Sequence, residues 1–461
     1  MTASKSLCGT LAFLVLTIEL GLGQVKVDKN AIESYVLPYV ESSNFAGSIL
    51  IEQHGRTAFE KSYGLADRDT RVGNGRATRF HIASISMQFT AVGILRLIDQ
   101  GTFGLNTHVS EILPGIPGGD KITIRDLLAE RSGLPDINDL ADYNDVLKAH
   151  QTAASLVAKI KDRPLLFEPG SKFLHEEHSA YNLLALIIET KTGLPFAAAM
   201  KKLVFGPAGL ARTAIDDDGL ASNADIAKGY QPSGTSGLEP ATPIHWSGKT
   251  GNASVVTTAR EQALWTRAVF GNRLLKQASR EAILDTSQKP GYGWFRTLSP
   301  RFHEIVYYMN GRAPGFTSFM LYLPREQMTL VVFSNIYSSA TTDIGNDIAA
   351  IALGLPFQAF KTRNPPPSPQ EMRSCVGSFK FGPDFYQKDA EVNLTATDTE
   401  LSLHWPSGDI SPLIPLAPDR FIDRAYWEEV RLERGTDGHP TALIYDRFRG
   451  EANQKLGDTL K

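Results

Sequence analysis

A proline-rich segment near residue 365 constrains this chain more than any other feature, because it divides the sequence into two parts with different patterns. Residues 361–370 include the run Asn364-Pro365-Pro366-Pro367-Ser368-Pro369. Proline fixes φ and lacks a backbone donor, so such a segment is stiff and extended and continues neither a helix nor a central strand. We therefore predict a linker at 361–370 between a large domain, residues 24–360, and a small domain, residues 371–461.

The large domain combines helical and strand-like patterns. Asp28 is placed to cap a helix whose apolar side chains recur at helical spacing. Residues 85–100 are apolar nearly all round and stop at Gly101, which predicts a helix buried inside the domain. Strands are predicted at Gly47 to Gln53, Thr57 to Tyr63, Ser318 to Leu323 and Thr329 to Ser334. Together these predict an α+β fold, with an antiparallel sheet flanked by helices and an all-helical region in the middle.

The small domain has the period-two alternation of β-strands. Apolar residues alternate at Val392, Leu394 and Ala396, and the pattern recurs further along the chain. Asp437-Gly438 has the composition of a tight turn. About 90 residues of short strands can fold alone, and we predict a small β-barrel, with a sandwich as the alternative.

Composition excludes several classes of partner. The chain has 461 residues, 42% of them hydrophobic, and a formal net charge of −3. It can therefore bury a sizeable core, and it carries no basic stripe for nucleic acid or for anionic lipid.

The N-terminus has the pattern of a signal peptide. Lys5 precedes an apolar run from Leu7 to Leu22, which ends in small residues at Gly23. Glu19 inside the run argues against a membrane anchor. We predict a signal peptide at residues 1–23, export to the periplasm or the outside, and no membrane span in the mature chain.

The sequence gives no reason to expect a cofactor or a metal. Cys375 is the only cysteine after the signal segment, so no intramolecular disulfide can form there. His175 and His178 stand three residues apart, whereas the helical zinc motif places its histidines four apart.

The segment around Ser84 has the features of a nucleophile site. Ser84 stands at the start of the helix predicted for residues 85–100. A serine hydroxyl needs a neighbouring base to become a nucleophile, and one known arrangement places lysine one turn later on the same helix. Here the residue one turn later is Met87. A serine at a helix start is also a common N-cap, so this segment alone does not show whether Ser84 is a nucleophile or a cap.

Other segments follow Ser84 in a characteristic order. They are Leu127-Leu128-Ala129-Glu130-Arg131-Ser132-Gly133-Leu134-Pro135, Glu168-Pro169-Gly170-Ser171-Lys172-Phe173, the helix from Tyr181 to Glu189, Phe205-Gly206-Pro207-Ala208-Gly209-Leu210, Gly291-Tyr292-Gly293-Trp294 and Gly311-Arg312-Ala313-Pro314-Gly315-Phe316. With the Ser84 segment they resemble the serine β-lactamase and penicillin-binding-protein family, in the branch that includes class C enzymes, esterases and D-aminopeptidases. The resemblance covers roughly residues 30 to 355 and implies a β-lactamase/transpeptidase-like fold with a small C-terminal barrel.

Three catalytic positions of that family are replaced. Met87 stands in the place of the lysine of Ser-x-x-Lys. Where the family has Tyr-x-Asn, the chain has one extra residue, so the tyrosine is replaced by His175 or by Glu176. Met309 stands where a lysine or histidine precedes the glycine of the third motif, here Gly311.

Two literal Lys-Thr-Gly strings do not occupy the third-motif position. Lys191-Thr192-Gly193 has the position of a helix end. Lys249 of the second string is predicted to be a surface lysine or, as the alternative, a cation that substitutes for the missing ones.

Two functions from different classes remain open. The first is a serine hydrolase in which Ser84 attacks a carbonyl, His175 accepts its proton and Glu177 orients the imidazole. The backbone N–H groups of Ser84 and Arg312 would hold the oxyanion, with Arg312 predicted at the start of its strand. The residues predicted to bind substrate are Met87, Met309, Gly311 and Arg312. Because Met309 cannot pair with a carboxylate, a neutral small-molecule ester, amide or peptide-like substrate is expected.

The second function is a binding or regulatory protein that keeps the fold without the reaction. Loss of a base that acts as a unit with its nucleophile costs several powers of ten in rate. Met87 has no basic lone pair of comparable strength to a lysine or an imidazole.

Overall fold

The computed structural model describes residues 27–174, 177–217, 220, 223–285 and 291–453. The predicted signal peptide and His175 therefore lie outside the described residues. The helices are α1 Lys29–Glu41, α2 Ser86–Asp99, α3 Ile124–Leu128, α4 Tyr143–Val146, α5 Ala153–Ile160, α6 His178–Thr192, α7 Phe196–Met200, α8 Gly206–Ala208, α9 Ala259–Phe270, α10 Gln277–Leu284, α11 Ala340–Ala352 and α12 Pro369–Arg373.

The strands fall into two groups along the chain. Those of the large domain are β1 Gly47–Gln53, β2 Arg56–Tyr63, β3 Leu65–Asp67, β4 Val72–Gly73, β5 Phe80–His81, β6 Ala214–Ile215, β7 Tyr230–Ser233, β8 Gly237–Pro240, β9 Val255–Thr257, β10 Phe295–Ser299, β11 Glu304–Ala313, β12 Phe316–Leu323 and β13 Met328–Ser334. Those of the C-terminal part are β14 Gly377–Lys380, β15 Glu391–Ala396, β16 Leu401–His404, β17 Ile410–Ala417, β18 Arg420–Asp423, β19 Glu429–Arg434, β20 Pro440–Tyr445 and β21 Phe448–Ala452.

A six-stranded antiparallel sheet forms the centre of the large domain, in the order β10-β11-β12-β13-β1-β2. The strands predicted from the sequence all lie in it, and the Asp28 carboxylate accepts a hydrogen bond from the Ala31 N–H at 3.0 Å, as expected of an N-cap. The turn between β1 and β2 has positive φ at His54 (49°) and Gly55 (72°). Two such residues match the right-handed twist of a tight hairpin.

Both faces of this sheet are buried. Alternate residues of β13 contribute to two separate cores, Val331 and Phe333 to the one beneath the helical region, and Leu330 and Val332 to the one beneath α1 and α11. Every residue of β13 is buried. A strand buried on both faces shows a continuous apolar run rather than an alternating one, which is why its sequence is apolar throughout.

The helical region surrounds α2, whose residues 86–95 are all buried. This confirms the buried helix predicted after Ser84. The prediction that this region is all-helical was wrong, because it also carries a three-stranded sheet β5-β9-β6 and the pair β7-β8. Strands of two to four residues are too short to show a period in the sequence.

The C-terminal part is a closed barrel of β14 to β21, in which β14 pairs with β21. Closure confirms the predicted barrel and excludes the sandwich. Val392, Leu394, Leu401 and Leu403 point into its core, as their alternation indicated. Trp427 instead joins the core beneath α1 and α11, so the barrel packs directly on the large domain.

Among the described residues no single helix is long and apolar enough to cross a membrane. One bent pair, His178–Thr192 with Phe196–Ala208, passes that test together by length and composition.

Candidate active site

Ser84 lies where the polypeptide turns from β5 into α2. It occupies a 3-10 turn, Ala83–Ile85, directly before the helix. Ala83 has a φ of 49°, a left-handed conformation that costs a residue with a Cβ about 1–2 kcal/mol. The partly exposed Ser84 lines a cleft of about 570 Å³. The strained turn therefore presents Ser84 to an open cavity at the start of a rigid helix.

Gly311 on β11 lies directly against the Ser84 turn. A Cβ at position 311 would lie 2.9 Å from the Ser84 nitrogen and 2.5 Å from the Ile82 oxygen, closer than such atoms approach. The Ser318 hydroxyl on β12 donates to the same Ile82 oxygen at 2.7 Å. Only glycine allows the strand to approach the Ser84 turn this closely.

Arg312 follows Gly311 and lines the same cleft. The sequence predicted Arg312 at the start of its strand. In the structure it is the penultimate residue of β11, so its N–H lies near the end of the strand. Ser84 and Arg312, whose N–H groups are predicted to hold the oxyanion, are therefore close together, because Gly311 beside Arg312 contacts the Ser84 turn.

Met87 and Met309 line the same cleft as Ser84. They are only 2% and 6% exposed and belong to the same apolar cluster. Two thioethers therefore occupy the positions at which the family resemblance implied cations.

Glu177 is fully buried and is not among the residues that line the cleft. One carboxylate oxygen accepts from the Ser132 hydroxyl at 2.8 Å and the other from the Ser132 N–H at 3.1 Å. Burial raises the pKa of Glu177 to about 7, against these hydrogen bonds, which lower it. The carboxylate thus fixes the turn at Ser132, and its predicted contact with His175 lies outside the described residues.

His178, the first residue of α6, lines the same cleft as Ser84. Its Nδ1 lies 3.0 Å from an Asp136 carboxylate oxygen, which also accepts the His178 N–H at 2.7 Å. Burial alone would raise the pKa of Asp136, but the hydrogen bond and the charge of His178 outweigh it and lower that pKa. An ionised Asp136 holds the proton on Nδ1, which leaves Nε2 as a proton acceptor.

The Asn138 amide lies 3.0 Å from the same Nδ1. Because one nitrogen cannot donate to Asp136 and accept from an amide at once, the tautomer follows from the ionised partner. Nδ1 therefore carries its proton toward Asp136.

Lys249 also lines the cleft and is 8% exposed, so its interpretation as a surface lysine was wrong. Its ammonium donates to the Tyr143 hydroxyl and lies 4.8 Å from the centre of the Tyr143 ring. Burial raises the pKa of Tyr143, which keeps its hydroxyl neutral. The alternative interpretation, a cation that substitutes for those missing at 87 and 309, fits this position. Gly193, in contrast, caps α6 with a φ of 66°, as predicted for the other Lys-Thr-Gly string.

Sequence reasoning missed several residues of the cleft. Those from the large domain are Asn138, Tyr143, Asn252 and Tyr337, and those from the barrel are Gln387, Asp409 and Tyr426. Both side-chain atoms of Asn252 are buried without a hydrogen-bond partner among the described residues. Glu130, from the Leu127–Pro135 segment that carries the family resemblance, also lines the cleft. No local pattern could have indicated the barrel residues, because they reach the cleft only through domain packing.

Within the described ranges, no three histidine, cysteine or acidic side chains lie close enough together to hold a metal ion.

Both the sequence and the architecture are similar to those of known proteins. Penicillin-binding protein 4* of Bacillus subtilis (strain 168) is 26% identical over 429 residues, which are 88% of this chain and 94% of that protein. The octameric penicillin-binding protein homologue from Pyrococcus abyssi superposes with a TM-score of 0.65 at 20% identity, over 92% of this chain and 99% of that one. The D-amino acid amidase from Ochrobactrum anthropi SV3, complexed with D-phenylalanine, gives 0.61 at 21% identity over 70% and 97%.

The family described as Beta-lactamase matches residues 33–354, which contain the sheet, the helical region and the whole Ser84 turn. Because this match spans well over half of the chain, the protein belongs to the β-lactamase family.

Proposed function

We propose that this protein is a serine hydrolase that cleaves a small ester or amide, with Ser84 as the nucleophile and an imidazole as the base. The observation that carries the proposal is the presence of Ser84 and of His178, held by Asp136, in the wall of one cleft. The D-amino acid amidase and the penicillin-binding proteins among its relatives support an amide or peptide-like substrate.

The reaction divides into two half-reactions. The Ser84 oxygen bonds to the substrate carbonyl carbon while its proton passes to His178 Nε2, and the carbonyl oxygen becomes an oxyanion. The N–H groups of Ser84 and Arg312 stabilise that charge. The imidazolium then protonates the leaving alcohol or amine as the bond to the acyl carbon breaks. Water, activated by the same imidazole, releases the acid and restores the Ser84 hydroxyl.

The sequence alone suggested His175 as the base, with Glu177 as its orienting carboxylate. His175 lies outside the described residues, and both Glu177 oxygens are occupied by Ser132. His178 has the carboxylate partner, the buried position and the cleft contact that the role requires, so we place it first and keep His175 as the alternative.

Acylation of Ser84 tests the proposal. Intact-mass spectrometry of protein treated with a fluorophosphonate and a panel of nitrophenyl esters should show one acyl or phosphonyl group, absent from Ser84→Ala. His178→Ala should slow labelling by at least about a hundredfold, and Asp136→Asn by somewhat less. Because Asp136 also accepts the His178 N–H, each variant needs a thermal melt to show that it is folded.

His175→Ala is the matched control for the choice of base. If it abolishes labelling while His178→Ala does not, the histidine predicted from the sequence is the base. Labelling that is lost in neither variant would exclude both imidazoles and direct attention to Lys249.

A second function has its own supporting observation, the apolar pair Met87 and Met309. A cleft with methionine at the two positions where the family resemblance implies cations suits a binding protein that retains the fold. Absence of any adduct on folded wild-type protein, across esters, amides and β-lactams, would favour this function.

Export is part of the proposal. The pattern of residues 1–23 and the relatedness to penicillin-binding proteins support a protein that acts outside the cytoplasm. Mass spectrometry of the N-terminus of the secreted protein, with cleavage before Gln24 as the expected result, tests it.

A further inference from the structure

The side chain of Arg312 is held between two tyrosine rings. Its Cζ atom lies 3.8 Å from the centre of the Tyr337 ring and 3.9 Å from that of Tyr426. Tyr337 follows β13 in the large domain, whereas Tyr426 comes from the barrel. With the two rings against the guanidinium, a further partner can bind only along its in-plane N–H edge, which already makes a hydrogen bond to the Tyr426 side chain but leaves Nε without a partner. A carboxylate binds a guanidinium along that edge.

Arg312 has no full counter-charge among the described residues. Its Nε is buried without a hydrogen-bond partner. The acidic side chain that acts on it is Asp423, whose carboxylate already accepts from the Tyr445 hydroxyl at 2.9 Å and from two backbone N–H groups. Burial raises the pKa of Asp423, which weakens it as a counter-charge. Burial alone would lower the pKa of Arg312, but the two tyrosines and Asp423 together raise it, so the guanidinium stays charged while its Nε remains available to a ligand.

Arg312 also stands at the junction of three cavities. With Tyr426 it lines the Ser84 cleft and two adjoining cavities of about 620 and 500 Å³ between the sheet and the barrel. Asp409, exposed on the barrel, lines the Ser84 cleft beside it and accepts from the Ser407 hydroxyl. Because Gly311 contacts the Ser84 turn and Arg312 is the next residue, one small molecule can reach both Ser84 and the guanidinium.

We propose that the edge of the Arg312 guanidinium binds a carboxylate of the substrate, with Tyr337 and Tyr426 holding it in place. The substrate class is then an ester or amide that carries a second, ionised carboxyl group. This inference rests on the proposed hydrolase function of Ser84. It differs from the expectation of a neutral substrate, which considered only Met309.

Substrate selectivity provides the first test. Mono-4-nitrophenyl glutarate carries a free carboxylate. The compound in which this carboxylate is a methyl ester has no charge and serves as the neutral comparison substrate. Wild-type protein should prefer the anionic ester in kcat/KM by about tenfold or more, and Arg312→Gln should remove most of that preference. Arg312→Lys should keep only part of the preference, because an ammonium keeps the charge but cannot form the two parallel hydrogen bonds that a planar guanidinium makes to a carboxylate. Arg68→Gln, at an exposed arginine over the Tyr230 ring and outside the cleft, is the matched control and should keep the preference.

Binding without turnover provides the second test. Calorimetric titration of Ser84→Ala with glutarate and with glutaramide should show at least about tenfold tighter binding of glutarate, lost when Arg312→Gln is added. Binding of this kind without turnover of either ester would retain the carboxylate site and reject the hydrolase. Turnover with no preference for the anion, or equal binding of glutarate and glutaramide, would overturn the carboxylate site.

Discussion

Met87 and Met309, 222 residues apart in the chain, belong to one apolar cluster and line the same cleft as Ser84. Each stands where the family resemblance implies a cation. An ammonium at either position would be almost fully buried against this apolar cluster.

Restoring the lysine should therefore not restore reactivity. Met87→Lys places a charge at a position that is 2% exposed, and the buried carboxylate of Glu177 already accepts two hydrogen bonds from Ser132. We expect a lower melting temperature and no gain in fluorophosphonate labelling. Met87→Leu, a change of similar volume, should cost less than about 1.5 kcal/mol. Faster labelling of folded Met87→Lys would reveal a latent lysine site.

Gly311→Ala should damage the site more than the fold. The added Cβ would displace the Ser84 turn from β11, with an expected loss of about 1–3 kcal/mol in stability and most of the acylation rate. Chemical denaturation and labelling kinetics measure the two effects. Gly75→Ala is the matched control, because no atom lies within 4 Å of a Cβ there. Normal labelling of Gly311→Ala would show that close contact with the strand is not required.

Glu177 should make the protein less stable as pH rises. Its folded pKa of about 7 lies above the ordinary 4.5, so the folded state binds the proton more tightly than the unfolded state. The stabilisation is complete below the ordinary value and is lost as pH rises through the folded one.

Glu177→Gln tests whether Glu177 causes this loss of stability as pH rises. Glutamine keeps an acceptor for the Ser132 N–H and does not ionise, so the variant should lack a decline on the order of 2–3 kcal/mol between pH 5 and pH 8. Urea unfolding at the two pH values measures it. Glu168→Gln, at an exposed carboxylate paired with Lys121, should retain the wild-type decline. An unchanged pH dependence in Glu177→Gln would assign the effect to another group.

Arg424 should be the main polar attachment of the barrel. It is fully buried and donates from Nε to the Asn44 side chain at 2.7 Å, and from its terminal nitrogens to backbone oxygens of Ser43, Gly234 and Gly237. Removal leaves these acceptors buried and unpaired, so Arg424→Met should cost about 3–5 kcal/mol.

Limited proteolysis measures the attachment directly. Cleavage in residues 361–370 should be faster in Arg424→Met, and the carboxylate preference assigned to Arg312 should fall because Tyr426 moves with the barrel. Arg420→Met removes only an exposed pair with Glu429 and should behave as wild type. Equal proteolysis of the two variants would show that apolar packing at Trp427 holds the barrel without Arg424.

The architecture could be predicted because its determinants are local. An apolar run with all faces buried, as in α2, and alternation in β15 and β16 report the surroundings of each side chain directly. The order of the motifs was also sufficient to place Ser84 beside Gly311. The short strands β5, β6 and β9 escaped prediction because two or three residues cannot show a period.

By itself the sequence determined the fold class, the nucleophile candidate and the methionines at 87 and 309, since each of these depends on residue type at a known place in the chain. Only the tertiary structure decided which groups surround Ser84. Lys249 is buried there rather than exposed, His178 acquires Asp136 from another loop, and Tyr426 arrives from the barrel to cover Arg312. The physical reason is that catalytic surroundings consist of contacts between residues distant in sequence, and their formation depends on how whole elements pack.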